Sequence, residues 1–245
     1  QAHAQTLGQR RREQEAPRSK EDLTELEQAV IGAHFVNMIS GIGRLCYRSN
    51  KGMMPVCPYF LEDDIPDEKQ ATGGSGKSLI VKLVVGSAVN VLDVDMKRFV
   101  TITDAKFELG KLSSEPYKYR VLHWEDKPKA FPMKYFYNMV TSGLTVERKN
   151  VDPVTFSSDE APKSVITCNY PLSDDDDSTV GRFPLVSFSN RFARANPQKR
   201  KAARLMSALM KNFSDKPEEI DDTDRNQAIY ICALAVQFLM RYHTF

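Results

Sequence analysis

Residues 71–78 read Ala-Thr-Gly-Gly-Ser-Gly-Lys-Ser, and the Gly76-Lys77-Ser78 end has the chemistry of a phosphate-binding loop. Gly73, Gly74 and Gly76, with Ser75 between them, let backbone N–H groups turn toward a polyphosphate. In such a loop the lysine, here Lys77, reaches the terminal phosphates, and the hydroxyl of Ser78 ligates Mg²⁺. A helix is expected to start at this point, its N-terminal dipole favouring the same anion. Leu79, Ile80, Leu83 and Val84 recur at helical spacing and mark its buried face. The usual pattern opens on a glycine where this chain has Ala71. Residues 63–70, Asp-Asp-Ile-Pro-Asp-Glu-Lys-Gln, do not read as the buried strand that normally feeds such a loop. The nearest apolar run is Val56 to Leu61, so either an insertion separates strand from loop or residues between them are absent. Lys77 is expected to face solvent at the loop–helix junction. The competing reading is an ordinary Gly-Ser loop that happens to precede a lysine.

A chain of 245 residues with 41% hydrophobic content can bury one large α/β core with a helical appendage, or two small domains. The net charge of +2 excludes a global charge field of the nucleic-acid-binding kind, so any DNA contact must come from local basic clusters. Cys46, Cys57, Cys168 and Cys232 lie far apart with no Cys-x-x-Cys, which favours reduced thiols in a cytoplasmic protein over a zinc site. No signal peptide is visible at the start. The most apolar stretch, Ile229 to Met240, is too short to span a bilayer and carries Gln237, so no membrane association is expected.

Residues 1–18 are polar and Arg/Gln-rich and read as a flexible basic arm or linker. Residues 19–62 form an N-terminal helical segment: Ser19 to Asp22 fits a capping box, and a helix runs from about Lys20 to Ser40, with Gly41 and Gly43 ending or breaking it. Residues 63–195 form the core. Strands are expected at Val89–Val94, Tyr119–Trp124, Ser164–Cys168 and Phe183–Phe188, with a helix at Lys134–Val140. Leu144–Arg148 and Pro153–Phe156 read as a hairpin with its tip at 149–152. Lys106 to Leu112 reads as a short helix or loop, and Asp174 to Asp177 as a solvated loop tip. Residues 196–245 are helical, the last helix starting at Thr223 or Asp224 and ending near Tyr242.

Strands alternating with helices after a phosphate loop predict a mostly parallel sheet flanked by helices. Such a site needs an acidic element to hold Mg²⁺ and orient water. Glu125-Asp126 fits, because an apolar run ending in two carboxylates places them at the carboxyl end of a strand, where ligands bind. Glu125 is assigned to Mg²⁺ and Asp126 to the attacking water, and the roles can be swapped; an exposed acidic turn is the alternative. The buried strand Ser164–Cys168 ends in Asn169, whose amide at the sheet edge can donate to a phosphate or to water without adding charge. Asn169 also fits plain turn chemistry before Pro171. Trp124 reads as core packing rather than a base-stacking residue.

In this order the motifs resemble a superfamily 3 helicase of the AAA+ class, especially the helicase part of phage, plasmid and poxvirus-type primase-helicases. The resemblance covers roughly residues 71–192 and rests on Gly76-Lys77-Ser78, Glu125-Asp126, Thr141 to Lys149, Ile166 to Asn169, and Gly181-Arg182-Phe183 leading into Val186-Ser187-Phe188. It implies an AAA+ P-loop core, an ATP-driven motor with ATP and Mg²⁺ as cofactors, and a homo-oligomeric ring, usually a hexamer, around single-stranded DNA. It implies that Lys77 and Ser78 take phosphates and Mg²⁺, that Asn169 is a sensor, and that Arg182 is an arginine finger reaching the neighbouring subunit. Arg191 and Arg194 are rival fingers. Arg148 and Lys149 on the hairpin would grip backbone phosphates without reading sequence. The basic cluster Lys199, Arg200, Lys201 and Arg204 fits a solvated face or a second DNA contact. The Arg-rich start suggests an upstream primase or other domain.

Two other classes compete. An AAA+ replication initiator or loader would use ATP as an assembly switch without unwinding. A P-loop kinase would transfer phosphate to a small molecule, but no arginine-rich lid is evident.

Overall fold

A computed structural model describes residues 25–51, 54–63, 75–97, 99, 109–115, 117–148, 150–172, 176–189 and 222–242. The chain divides into two compact units, Gln1–Val36 and Asn37–Phe245. Of the first unit the described part is the opening of helix α1 (Glu25–Cys46). All that follows belongs to the second.

Five short strands form its sheet: β1 (Tyr59–Asp63), β2 (Val91–Asp95), β3 (Val121–Glu125), β6 (Lys163–Cys168) and β7 (Leu185–Ser189). Their order is β2-β3-β6-β1-β7, and every neighbouring pair is parallel. Parallel strands are covered on both faces, so they carry apolar residues on both. All six residues of β6 are buried. On β1, Tyr59 turns to one core and Phe60 to the other; on β3, Leu122 and Trp124 share a face that Val121 opposes.

The core on one face holds the hairpin β4 (Leu144–Arg148) and β5 (Val151–Phe156), helix α3 (Gly110–Ser114) and helix α4 (Lys134–Thr141). Trp124 packs there edge-on to Tyr135 and Phe136, with its indole N–H on the Ser164 hydroxyl at 3.2 Å, so it is a core residue. The core on the other face joins the C-terminal part of α1, the helix after the phosphate loop, and α6 (Asp222–Tyr242). Between β6 and β7 lies α5 (Asp177–Arg182). Asp176 caps α5 by accepting from the Thr179 N–H, so this aspartate of the acidic run sits at a helix start rather than on a loop tip.

Three expectations need correction. The boundary drawn at 62/63 cuts a strand: β1, the fourth of the five across the sheet with neighbours on both sides, grows out of the apolar run at Val56–Leu61 and ends at Asp63, and residues 64–74 between it and Ser75 lie outside the described residues. Helix α1 runs through Gly41 and Gly43 to Cys46. A Cβ on Gly43 would collide with the Ala235 backbone, its carbonyl carbon at 2.8 Å, so this glycine serves close helix–helix contact rather than helix ending. The hairpin tip is shorter than 149–152, because β5 begins at Val151 and Asn150 takes a left-handed φ of 63°.

Candidate phosphate and acidic site

The helix after the loop, α2, consists of an α-turn at Lys77–Leu79, a π-helical stretch at Ile80–Val85 and a last turn at Gly86–Ala88. Gly76 precedes it with φ 95°, a conformation only glycine adopts freely, and no atom would meet a Cβ there within 4 Å. The backbone before the helix is therefore turned sharply beside open space, which fits a polyphosphate cradle. Gly73 and Gly74 lie outside the described residues. Ser78, half-buried, is the second helical residue.

Lys77 does not face solvent. It is 6% exposed, and its ammonium donates to Glu62 Oε2, Ser75 Oγ and Asn169 Oδ1, each at 2.9 Å. All three of its N–H groups have protein partners. The reason is Glu62, the penultimate residue of β1 and 4% exposed, whose carboxylate meets the ammonium at the sheet edge. Sequence reasoning missed Glu62 although the signal was present. Phe60-Leu61-Glu62-Asp63 is an apolar run ending in two acids, the same pattern that marks Glu125-Asp126.

Lys77, Asn169 and Glu125 follow or end β1, β6 and β3, three neighbouring strands, at their carboxyl ends. Strands lie about 4.8 Å apart, so the three groups span roughly 10 Å. Both acids of the pair already hold lysines. Glu125 Oε2 accepts from Lys82 at 2.8 Å, and Asp126 meets Lys97 at 2.7 Å. Burial pulls the Lys82 ammonium down, but the Glu125 hydrogen bond and the charges of Asp93, Glu125 and Asp126 outweigh it and leave it above its ordinary value. The Asp126 hydrogen bond and charge likewise raise Lys97. Asp126 has φ 53°, which turns its carboxylate off the strand line. Lys82 reaches Glu125 from the π-helical stretch. In a regular α-helix residues five apart point about 140° away from each other, and the wider turn reduces that offset between Lys77 and Lys82.

Beneath the acids a polar line crosses the sheet. His123 Nδ1 contacts Asp93 Oδ1 at 2.6 Å and Nε2 contacts Thr167 Oγ1 at 3.0 Å. Ligand atoms of Asp93, His123 and Glu125 lie within 4.8 Å of one another, so Glu125 is shared between this group and the expected Ser78–Glu125 pair.

Arg182 stands elsewhere. Its carbonyl oxygen accepts from the Cys57 N–H two residues before β1, which places it at the amino end of the sheet. Its guanidinium donates to the Ser178 carbonyl at 2.9 Å and to the Ser178 hydroxyl, and lies 5.3 Å from the Tyr137 ring centre. Strand rise of about 3.3 Å per residue puts it roughly 15–20 Å from the level of Glu62, beyond reach of its own phosphate loop. Arg148 closes β4, but its side chain, and all of Lys149, Arg191, Arg194 and the cluster at 199–204, lie outside the described residues. No helix among the described residues is long and apolar enough to cross a membrane.

No family model matches the chain, and no curated protein matches it. Among solved structures, a JCV helicase bound to a thiazolopyridinyl-phenoxyphenyl acetamide is similar over 85% of this chain and 61% of its own, with 12% identity and a TM-score of 0.45. The apo C-terminal region of NrS-1 is similar over 84% of this chain and 48% of its own, with 16% identity and a TM-score of 0.40. The chain thus spans about three fifths of the first and about half of the second.

Proposed function

We propose that this chain is the ATPase core of a ring-forming AAA+ helicase or translocase of superfamily 3, moving on single-stranded DNA in the replication of a phage, plasmid or mobile element. The observation that supports this is the convergence of Lys77, Asn169 and the Glu125–Asp126 pair on the carboxyl ends of three adjacent parallel strands, where such sheets bind ligands.

Gly76, Lys77 and Ser78 would hold the polyphosphate, and Ser78 with Glu125 would hold Mg²⁺, which supplies charge neutralisation at the phosphoryl oxygens. The residues of the chain do the rest. Lys77 exchanges its Glu62 partner for a phosphate oxygen. Asp126, released from Lys97, orients water and accepts its proton. Asn169, released from Lys77, donates its amide to the reacting centre. Arg182 stabilises developing charge in the neighbouring subunit's site, which ties hydrolysis to assembly into a homo-oligomeric ring. The β4–β5 hairpin has its inner face anchored by Leu144, Val146 and Phe156, and Arg148 and Lys149 would supply its contacts to backbone phosphates.

A second reading, an initiator or loader that uses ATP as an assembly switch, is favoured by one observation: both acids of the pair are held by lysines. Strand-displacement and ATPase assays with and without single-stranded DNA separate the two. A motor unwinds and is stimulated by DNA, whereas a switch assembles with ATP, as particle mass shows, and does not unwind. Lys149→Ala should weaken DNA binding equally across sequences and reduce its salt dependence. A sequence-specific loss would favour the initiator.

A further inference from the structure

The amino end of the sheet, opposite the phosphate loop, gathers positive charge that the function above does not use. Arg44, in the last turn of α1, is 4% exposed, and its Nε and Nη1 are buried without a hydrogen-bond partner among the described residues. Lys163, the first residue of β6, is 8% exposed, and its ammonium donates to the Tyr47 carbonyl. Arg120, immediately before β3, donates to the Arg48 carbonyl. Arg44 and Lys163 line one cavity of about 190 Å³ together with Asn50, Thr141, Asp159 and Ser164. Asn50 donates to the Ser158 and Ala161 carbonyls, each at 3.0 Å, and leaves its own Oδ1 buried and unmatched.

No ion pair joins Arg44, Lys163 or Arg120 to a carboxylate among the described residues. Asp159, on the cavity rim, is exposed. Burial, and then the charges of Arg44 and Arg120, push Lys163 down to about 7. An unpaired guanidinium is among the costliest groups to bury, and folds keep one only where something compensates it.

We infer that Arg44 and Lys163, with Arg120 flanking Lys163 from the neighbouring cavity that it lines with Glu160, form a second oxyanion site, which takes a phosphate group. The planar fork of arginine matches phosphate oxygens two at a time, and lysine adds a point charge. Arg44, Lys163 and Arg120 outnumber the exposed rim carboxylates Asp159 and Glu160, which favours a multiply charged anion over a single carboxylate. The cavity is smaller than the roughly 300–1,000 Å³ of whole-ligand pockets, so it accepts inorganic phosphate, pyrophosphate or the terminal phosphate of a longer molecule. The length of β6, roughly 17 Å at about 3.3 Å per residue, separates it from Asn169 and the phosphate loop. The site is independent of whether the chain hydrolyses ATP.

The test is thermal stabilisation by pyrophosphate in wild type, Lys77→Ala, Arg44→Met, Lys163→Met and Lys77→Ala carrying either methionine substitution. The site predicts that Lys77→Ala keeps a pyrophosphate-dependent shift, while Arg44→Met and Lys163→Met each weaken that component about 10-fold or more and bind ATP as wild type does. The two methionine variants, relieved of a buried cation, should be no less stable than wild type when no anion is present. As a readout that needs no folded Lys77 variant, pyrophosphate should shift the ¹⁵Nε resonance of Arg44 in the wild-type protein, assigned by its loss in Arg44→Met. Sulfate, whose charge is constant, should bind less tightly as pH rises through about 7, because Lys163 loses its proton. Arg44 and Cys46 from α1, Tyr47, Tyr117, Tyr119, Arg120, Asp159 and Glu160 are the titratable groups around it. Inorganic phosphate, ATP and a 5′-phosphorylated oligonucleotide compared in the same assay identify the source. An Arg44 resonance that pyrophosphate leaves unmoved, or a pyrophosphate-dependent shift of Lys77→Ala that survives when Arg44→Met or Lys163→Met is added to it, overturns the site. Loss of ATP binding alone, in Lys77→Ala, bears on the phosphate loop and not on this one.

Discussion

Lys77 and Glu62 form an ion pair at 2.9 Å in which the two side chains are 7% and 1% exposed. The lysine that should meet a phosphate is thus held by a buried carboxylate of its own chain. Removing one partner of a buried pair leaves an uncompensated charge, at a cost of about 3–5 kcal/mol. Glu62→Gln keeps a hydrogen-bond acceptor for the ammonium and removes the negative charge beside the polyphosphate site. The nucleotide-free protein should therefore melt earlier, and ATP should bind more tightly and stabilise it more than it stabilises wild type. Differential scanning calorimetry with and without ATP measures both. An unchanged melting point together with weaker ATP binding would show that Glu62 does not restrain Lys77.

Arg182 lies at the amino end of the sheet, so its action is predicted to be in trans. Arg182→Ala and Lys77→Ala should each be nearly inactive alone, since a finger supplies about 10³-fold or more. Mixed, they should regain activity above the sum of the two, because the intact Arg182 of one protomer meets the intact Lys77 of the other. Co-assembly proven by mass with no recovery would move the role to Arg191 or Arg194.

The placement of much of this candidate site was legible in the sequence because its parts end buried strands. β2, β3 and β6 are apolar runs, and Glu125 and Asn169 fall at or just past their carboxyl ends. β1 was harder to see because it is five residues long and ends in acids that composition assigns to a loop. Glu62 is a strand residue through its ladder with β7, where it stands opposite Phe188, and its buried carboxylate is compensated by a lysine fifteen positions later in the chain; local pattern carries neither pairing. Lys82 escaped notice because α-helical geometry places it off the Lys77 face, and the π-helical stretch corrects the angle. The turn pattern puts the start of the second hairpin strand at Pro153, yet β5 runs through it, since a two-stranded sheet has an edge where the missing N–H is harmless.

Gly43 read as a helix breaker and is instead a contact point. A methyl group there would collide with the Ala235 backbone and come within 3.1 Å of Leu239 Cβ. Gly43→Ala should therefore destabilise by about 1–3 kcal/mol, although alanine is the better helix former. Chemical denaturation measures it. A stabilised variant would mean that α1 and α6 do not pack as described.

Lys163 links stability to pH. Burial and the neighbouring arginines hold its folded-state value near 7, well below the value of about 10.4 in an unfolded chain. Between those values the unfolded state binds more protons, so stability rises with pH from about 7 upward, and the full penalty applies below 7. Denaturation midpoints of wild type should climb between pH 7 and 9 relative to those of Lys163→Met. Parallel pH profiles would contradict the buried, cation-flanked setting of this lysine.

The central claim is that Lys77 serves ATP hydrolysis, and steady-state turnover tests it most directly. Phosphate release from Mg-ATP should be measured for wild type and Lys77→Ala, with and without single-stranded DNA, after circular dichroism has confirmed that both are folded. Wild type should hydrolyse ATP and accelerate with DNA. The variant should fall at least about 100-fold, some 2.7 kcal/mol of transition-state stabilisation at about 1.36 kcal/mol per decade. A folded Lys77→Ala protein that hydrolyses ATP at the wild-type rate would contradict the account.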